Sequence, residues 1–418
     1  MLISRFASRS SSTARTRHAW GRSGLLAALI GLVCPAGILL TGAAGASPVR
    51  HLPGIGRSSI PSGETRDGGA GNPPDGQSST QLTSIFSGTT LGLTQPDDIT
   101  QMGRDLFVGF QNGVGPQGEP SPSGATASAV VELTMHGAVV STWSLTGHVD
   151  GLTADPANHR LIATVNEDGN SSLFTIDPAS SDPVQYVYSP SPLPHGGGTD
   201  AISILDGLIL ISASAPNTPP SSIYPAVYSA VIDGATHTAT LTPLFSDTAT
   251  ATSANAGPSE GQPTTLGLTD PDSNEVVPPS SPRFPGDFVL DSQGDDEQVY
   301  VAHAGSAAQS LSVLKLSSSV NDTAWASAAS GTLYITDHTN NLVDALSGHF
   351  APGTAYVAAT PCSDNSAPTS CPASGYPANY LGTVDLDTGT VSSVNLNGEF
   401  VQPQGLEFVP GDLGFGRG

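Results

Sequence analysis

Five aspartates open short apolar segments along the chain: Asp98-Ile-Thr, Asp150-Gly-Leu-Thr, Asp200-Ala-Ile-Ser, Asp287-Phe-Val-Leu and Asp322-Thr-Ala-Trp. Gln404-Gly-Leu-Glu-Phe-Val409 has the same form with an amide in the leading place. If each opens an innermost strand, these side chains encircle one mouth of a central channel. Carboxylates converging on one axis repel unless a cation neutralises them. Oxygen ligands of this kind suit Ca²⁺ or Mg²⁺. The metal-site expectation is therefore a divalent ion, Ca²⁺ or Mg²⁺, held by Asp98, Asp150, Asp200, Asp287 and Asp322. A structural reading competes with it. An aspartate at a strand entrance accepts hydrogen bonds from loop amides and fixes the turn. A functional site rarely needs one residue type five times, so the repetition itself favours the structural reading.

Histidines lie close to this register. His148 stands two residues before Asp150, and His195 five before Asp200; His303 and His338 sit at or just beyond strand ends. A histidine beside a carboxylate can act as general base, which makes His148 and His195 the candidate catalytic pair. A loop histidine facing water is the plainer alternative for each. Pro194-His-Gly-Gly-Gly198 and Gly257-Pro-Ser-Glu-Gly261 imitate the oxyanion loop and nucleophile elbow of serine hydrolases. The elbow needs a strand before its serine and a helix after it. Ser259 lies in a Pro/Thr/Ser-rich stretch, so the match is read as chance. Asn166-Glu-Asp-Gly-Asn170 reads first as a tight hairpin with Asn and Gly at positive φ, and only second as a ligand loop through Glu167 and Asp168. The acidic runs Asp270–Glu275 and Asp291–Glu297 lack the EF-hand pattern and read as solvated turns.

The elements that position these residues are strands. Leu106–Phe110, Leu161–Val165, Leu208–Ser212, Val299–His303, Leu333–Asp337 and Ala355–Ala359 are short, apolar and rich in β-branched or aromatic residues. The first five follow an Asp-led segment across a turn, and further strands follow them. The early period is 52 and then 50 residues, from Asp98 to Asp150 to Asp200. Repeated units of three or four antiparallel strands at this period predict an all-β fold, a single β-propeller of six blades, or of seven. A β-sandwich predicts no periodic aspartate. The long gap from Asp200 to Asp287 is assigned to a Pro/Ser/Thr-rich insertion at 248–285. Ala355–Ala359 has no Asp-led partner, and the segment at Gln404 has no follower. Ring closure is expected to bring Thr83-Ser-Ile-Phe86 beside the C-terminal strands.

The Asp-led openings, the hairpin Asp385-Leu-Asp-Thr-Gly-Thr390 and the closing Gln402-Pro-Gln-Gly-Leu-Glu-Phe-Val-Pro410 resemble the superfamily of regucalcin/gluconolactonase-like, NHL-repeat and YVTN-repeat propellers. The resemblance covers residues 81–411. It implies an axial metal in the enzymatic members, whose ligands mix Glu, Asn and Asp in a set this register does not reproduce. It leaves activity open, because such propellers include hydrolases, lyases and binding modules.

Location and partners follow from composition. The 418 residues carry 36 acidic against 13 basic side chains, a net charge of −23, with Lys315 the only lysine. That excludes a nucleic-acid partner. Arg5, Arg9, Arg15, Arg17 and Arg22 precede an apolar stretch that ends at Ala44-Gly-Ala46. Residues 1–46 read as a Sec-type signal peptide cleaved after Ala46, with an uncleaved membrane anchor as the alternative. Residues 47–80 read as a Gly/Pro/Ser linker and 412–418 as a tail. In an exported chain the remaining cysteines, Cys362 and Cys371, read as one disulfide. The leading expectation is a secreted, monomeric binding or scaffold propeller for an extracellular small molecule or protein, with no membrane span after cleavage. The alternative is a divalent-metal-dependent hydrolase or lyase, lactonase-like, working at the channel mouth.

Overall fold

The computed structural model describes residues 80–214, 223–361 and 379–411. Twenty-six strands and three short 3₁₀ turns make up its regular structure. The first strand is β1 (Gln81–Ser87). Next come β2 (Pro96–Met102), β3 (Asp105–Phe110), β4 (Ala127–Thr134) and β5 (Val139–Thr146), which pair in order as one antiparallel sheet. The second unit is β6 (Val149–Asp155), β7 (Arg160–Val165), β8 (Ser172–Ile176) and β9 (Val184–Ser189). The third is β10 (Ile202–Leu205), β11 (Leu208–Ser212), β12 (Pro225–Asp233) and β13 (Thr238–Ser246). Their outer strands β9 and β13 touch in parallel, joining the two units into one eight-stranded sheet. After the hairpin β14 (Thr250–Ser253) and β15 (Pro263–Thr265) comes the fourth unit: β16 (Pro271–Val276), β17 (Phe288–Ser292), β18 (Glu297–Ala302) and β19 (Ser310–Lys315).

The last two units are interleaved. The strands run β20 (Val320–Trp325), β21 (Ser330–Asp337), β22 (Leu342–His349), β23 (Ala355–Ala359), β24 (Tyr380–Val384), β25 (Val391–Ser393) and β26 (Pro403–Pro410). The fifth unit is β20-β23-β24-β25, and the sixth is β26-β21-β22-β1. The chain thus leaves β20, builds the middle hairpin of the next unit, and returns. This resolves both irregular segments in the sequence. Ala355–Ala359 does have an Asp-led neighbour, β20, and the Gln404 strand does have a follower, β21. Pairing by sequence adjacency is the commoner arrangement, and here it misassigns both. Closure comes from β1, which pairs with β22 in the sheet that β26 lines.

The inner strands β2, β6, β10, β16, β20 and β26 each lie against the next, and β26 returns to β2. The ring is an all-β propeller. Six apolar clusters fill the gaps between neighbouring units. Phe107 and Val130 meet Leu161 and Ala163 between the first two, and Tyr334 and Val343 meet Leu106 and Val108 where the ring closes. Middle strands such as β7 are therefore buried on both faces, whereas the outer β5 and β9 alternate between buried and exposed. Burial of each such side chain stabilises by about 1.5–3 kcal/mol. No helix among the described residues is long and apolar enough to cross a membrane.

The expected insertion at 248–285 is corrected by these strands. It contains β14, β15 and the inner strand β16. Pro271-Asp-Ser-Asn-Glu-Val276 looks like a polar loop because an inner strand lines a wet channel and has no apolar requirement on that side. Asp287 consequently stands at the head of the second strand β17, not of an inner strand.

Candidate metal centre at the channel mouth

Each inner strand carries a β-bulge near its start. Pairing shifts between Pro96 and Ile99, Val149 and Leu152, Pro271 and Asn274, and Val320 and Asp322. The same step separates Pro403 from Leu406 in β26, and the backbone bonds of Asp200 and Ala201 to Ser212 place it before β10. A bulge sets two residues against one on the partner strand and re-aims the extra side chain. The first bulge residues are Asp97, Asp150, Asp200, Asp272, Asn321 and Gln404, and all six line one cavity of about 270 Å³. The second bulge residues are Asp98, Gly151, Ala201, Ser273, Asp322 and Gly405. They are mostly small because the next inner strand presses close. A Cβ on Gly151 would sit 2.5 Å from the Asp200 carbonyl oxygen.

The sequence register is thus one residue off in two units. Asp98 and Asp322 are staples. Asp98 accepts hydrogen bonds from the N–H groups of Ile99 (2.7 Å) and, across the unit boundary, Leu152 (2.6 Å). Asp322 accepts from Thr323 (2.7 Å) and from Leu406 of the next inner strand (2.6 Å). For these two the structural reading describes the observed contacts. Asp150 and Asp200 occupy the cavity wall as channel-facing residues, and Asp287 lies outside the cavity.

His148 is the centre of the site. It is 8% exposed. Its Nδ1 lies 2.5 Å from the Val114 carbonyl and donates to it, so in the neutral imidazole the lone pair is on Nε2. Nε2 is buried without a hydrogen-bond partner and stands 3.8 Å from both Asp150 Oδ1 and Glu167 Oε1. In the neutral form this sets an acceptor against two carboxylates, an arrangement that a cation between them would neutralise. The three donor atoms lie within 4.8 Å of one another, a span that one ion bonded at about 2.1 Å to each bridges with little movement. An imidazole whose second nitrogen is tied to a carbonyl is the usual arrangement of a metal-ligating histidine.

Loop contacts fix this geometry. Asn166 brackets His148: its N–H donates to the His148 carbonyl (2.7 Å) and its Oδ1 accepts from the His148 N–H (2.9 Å). Asn166 and Asn170 both have positive φ, as the hairpin reading expects. The 111–126 loop covers the site. Gln111 Nε2 donates to Asp150 Oδ1 (3.3 Å), Val114 holds the imidazole, and the Asp168 N–H donates to the Pro116 carbonyl (3.0 Å).

His195 does not belong to the site. It is 3% exposed, and its two ring nitrogens bond the Tyr228 hydroxyl and the Gly198 carbonyl, each at 2.8 Å. Burial pushes its pKa down. A satisfied buried imidazole has no lone pair or proton to offer a substrate, and the structure does not bring His195 to the cavity that His148 lines. The loop it pins has another use: a Cβ on Gly198 would sit 2.1 Å from the Glu167 carbonyl oxygen, so this loop packs directly on the ligand turn. Ser259 lies in the turn joining β14 to β15, without the helix an elbow needs. Cys362 and Cys371 lie outside the described residues.

Ten carboxyl groups, His148 and His338 line the cavity, and no Lys or Arg does. Burial raises the pKa of Asp97 and Asp200, and the charge of Asp150 raises both further. Burial followed by Asp270 raises Asp272, and burial followed by Asp150 raises Glu167. Burial and then His148 push His338 down to about 4. The sequence reading missed Asp97, Asn321 and Gln111 and took Asp272 for part of a solvated turn. The signal for Asp97, Asp272 and Asn321 is the four-residue pattern Pro96-Asp-Asp-Ile, Val149-Asp-Gly-Leu, Thr199-Asp-Ala-Ile, Pro271-Asp-Ser-Asn, Val320-Asn-Asp-Thr and Pro403-Gln-Gly-Leu, which aligns only once the bulge is known.

No family model and no curated protein sequence matches the chain. Solved structures do. The periplasmic gluconolactonase of Pseudomonas aeruginosa is 15% identical, with 75% of this chain and 88% of that one covered and a TM-score of 0.40. A protein of unknown function from Bacteroides caccae is 9% identical over 75% and 86%, with a TM-score of 0.39. The WD40 propeller domain of Doa1 is 10% identical over 76% and 86%, with a TM-score of 0.36.

Proposed function

We propose that the chain is a divalent-cation-dependent hydrolase of small lactones or esters, with its site at the channel mouth. The observation that carries this reading is the buried, unpartnered His148 Nε2 facing Asp150 and Glu167. These three residues would hold the ion. An imidazole in the set moves the preference from the all-oxygen ions Ca²⁺ and Mg²⁺ toward Mn²⁺ or Zn²⁺. When bound, such an ion polarises a carbonyl and acidifies a coordinated water.

The chain's own residues supply the rest. Gln111 orients Asp150, and Val114 keeps the His148 tautomer. Asp97 and Asp200 flank Asp150 and are the carboxylates placed to take a proton from water. Water oxygen bonds to the carbonyl carbon, the ester C–O bond breaks, and the alkoxide receives the proton. The cavity admits a small molecule, not a polymer. Export is part of the proposal: residues 1–46 would be removed, and Cys362 and Cys371 would form a disulfide, as the mature mass and a thiol count would test.

The test is calorimetric titration of chelated protein with Mn²⁺, Zn²⁺, Ca²⁺ and Mg²⁺, followed by turnover assays on small lactones and esters. One ion should bind, His148→Ala should weaken it by at least about 100-fold, and turnover should require it. Binding without turnover would make the chain an extracellular metal-holding binding module. Failure to bind any ion would overturn the site.

A further inference from the structure

We propose that His338 is a further catalytic residue, whose Nε2–H donates a hydrogen bond to the carbonyl oxygen of the substrate. The inference rests on the hydrolase reading and deepens it.

The ring of first bulge residues is not uniform. Units one to four place an aspartate there, and units five and six place the amides Asn321 and Gln404. His338 lies on the amide side. It follows β21, whose last residue, Asp337, pairs with Pro403 at the start of β26. The His338 N–H donates to the Gln402 carbonyl at 3.2 Å. Asp337 in turn accepts from the Gln402 N–H at 3.0 Å and the Asn340 N–H at 2.9 Å. The backbone beneath the imidazole is therefore held from two directions. The residue lines the same cavity as His148, Asp150 and Glu167.

The Nδ1 of His338 is buried and has no hydrogen-bond partner. A buried N–H without an acceptor is rarer than a buried lone pair without a donor. The neutral ring therefore keeps its lone pair on Nδ1 and its proton on Nε2. Nδ1 is closed to the cavity, which leaves Nε2 as the atom that can meet a ligand. The two cavity imidazoles are complementary: His148 offers a lone pair at Nε2, and His338 offers an N–H. Burial keeps the His338 ring neutral, and a neutral imidazole can polarise a carbonyl without gaining or losing a proton. The donors of Gln111, Ser273, Asn274, Gln293 and Asn321 go to protein acceptors, namely Asp150, Asp291, the Ala201 carbonyl, Thr360 and Asp272. A donor set where negative charge develops on the carbonyl oxygen acts mainly in the transition state.

The full chain loaded with Zn²⁺ would be assayed on δ-valerolactone and phenyl acetate. His338→Phe should lower kcat about 100-fold, with KM and the calorimetric Zn²⁺ affinity each within about threefold of the parent. His338→Gln returns an N–H to the site and should turn over at least about tenfold faster than His338→Phe. A kcat for His338→Phe within about threefold of the parent overturns the proposal. So does a loss of kcat that merely follows lost Zn²⁺, which would make His338 part of the metal set. A second measurement needs neither a folded variant nor turnover. In ¹⁵N NMR of the unaltered Zn²⁺-loaded chain, His338 should be protonated at Nε2, and that signal should move on saturation with δ-valerolactone. Protonation at Nδ1, or a signal indifferent to the lactone, overturns the proposal. A signal that moves while neither compound is turned over sustains the donor contact, and the hydrolase reading then fails separately.

Discussion

Asp291→Asn should remove one component of a pH dependence of stability that the wild-type fold carries behind its channel. Asp291 is 1% exposed in β17, opposite the fourth bulge. Ser273 and Thr323 each donate a hydroxyl to its Oδ2 at 2.8 Å, linking the fourth and fifth units. Burial raises its pKa from 3.8 to about 7, with hydrogen bonds opposing part of that rise. The folded state therefore holds the proton more tightly than the unfolded chain. Stability from this group is fully present below the unfolded value and is lost as pH rises through the folded one. Between about pH 5 and pH 8 the loss is about 3 kcal/mol, at 1.36 kcal/mol for each pH interval traversed up to the folded value. The wild-type curve alone cannot isolate this, because burial also lifts Glu275 to about 7 and Asp322 to about 6. The variant isolates it. Asparagine stays neutral, so the difference between variant and parent, from urea unfolding in chelator, should move by about 3 kcal/mol toward the variant across that interval. A difference that stays flat would refute the assignment of a protonated Asp291.

Four further outcomes follow from named contacts. Asn166→Ala keeps the backbone bond to the His148 carbonyl but removes the side-chain acceptor of the His148 N–H, and should weaken Mn²⁺ or Zn²⁺ binding about 10- to 100-fold by calorimetry, the usual cost of losing a group that orients a ligand. Asp98→Ala leaves the amides of Ile99 and Leu152 without their acceptor; unfolding in urea should show a loss of about 2–5 kcal/mol, with metal affinity within about twofold of the parent. Gly198→Ala cannot fit against the Glu167 carbonyl and should lower metal affinity by displacing the ligand turn, readable in the same titration. Asp287→Asn, outside the cavity, should bind metal like the parent; a lost site in this variant would restore the original five-aspartate register.

The architecture was readable because every unit needs the same parts. Each second strand is buried on both faces, so Leu161–Val165 and its counterparts are apolar throughout and recur visibly. The inner strands announce themselves less well. They line a wet channel, so Pro271–Val276 passes for a loop, and the apolar Phe288–Leu290 after Asp287 takes its place in the register. Neighbouring acids add a second ambiguity. Asp97 and Asp98 are equivalent as letters and both line the cavity; the bulge decides which of them reaches the Leu152 amide.

The histidines show where sequence reasoning ends. His148 and His195 stand in comparable connections before comparable aspartates. Their difference lies in the second hydrogen bond. Tyr228 and Gly198 satisfy both nitrogens of His195, so the residue ties one loop to the sheet behind it. Val114 engages only one nitrogen of His148, and the carboxylates of Asp150 and Glu167 face the other. That single open nitrogen, set by the 111–126 loop, separates a candidate metal ligand from a structural pin. The loop itself reads in sequence as a polar insertion, because its contribution is made through the backbone carbonyl of Val114, which no residue type encodes.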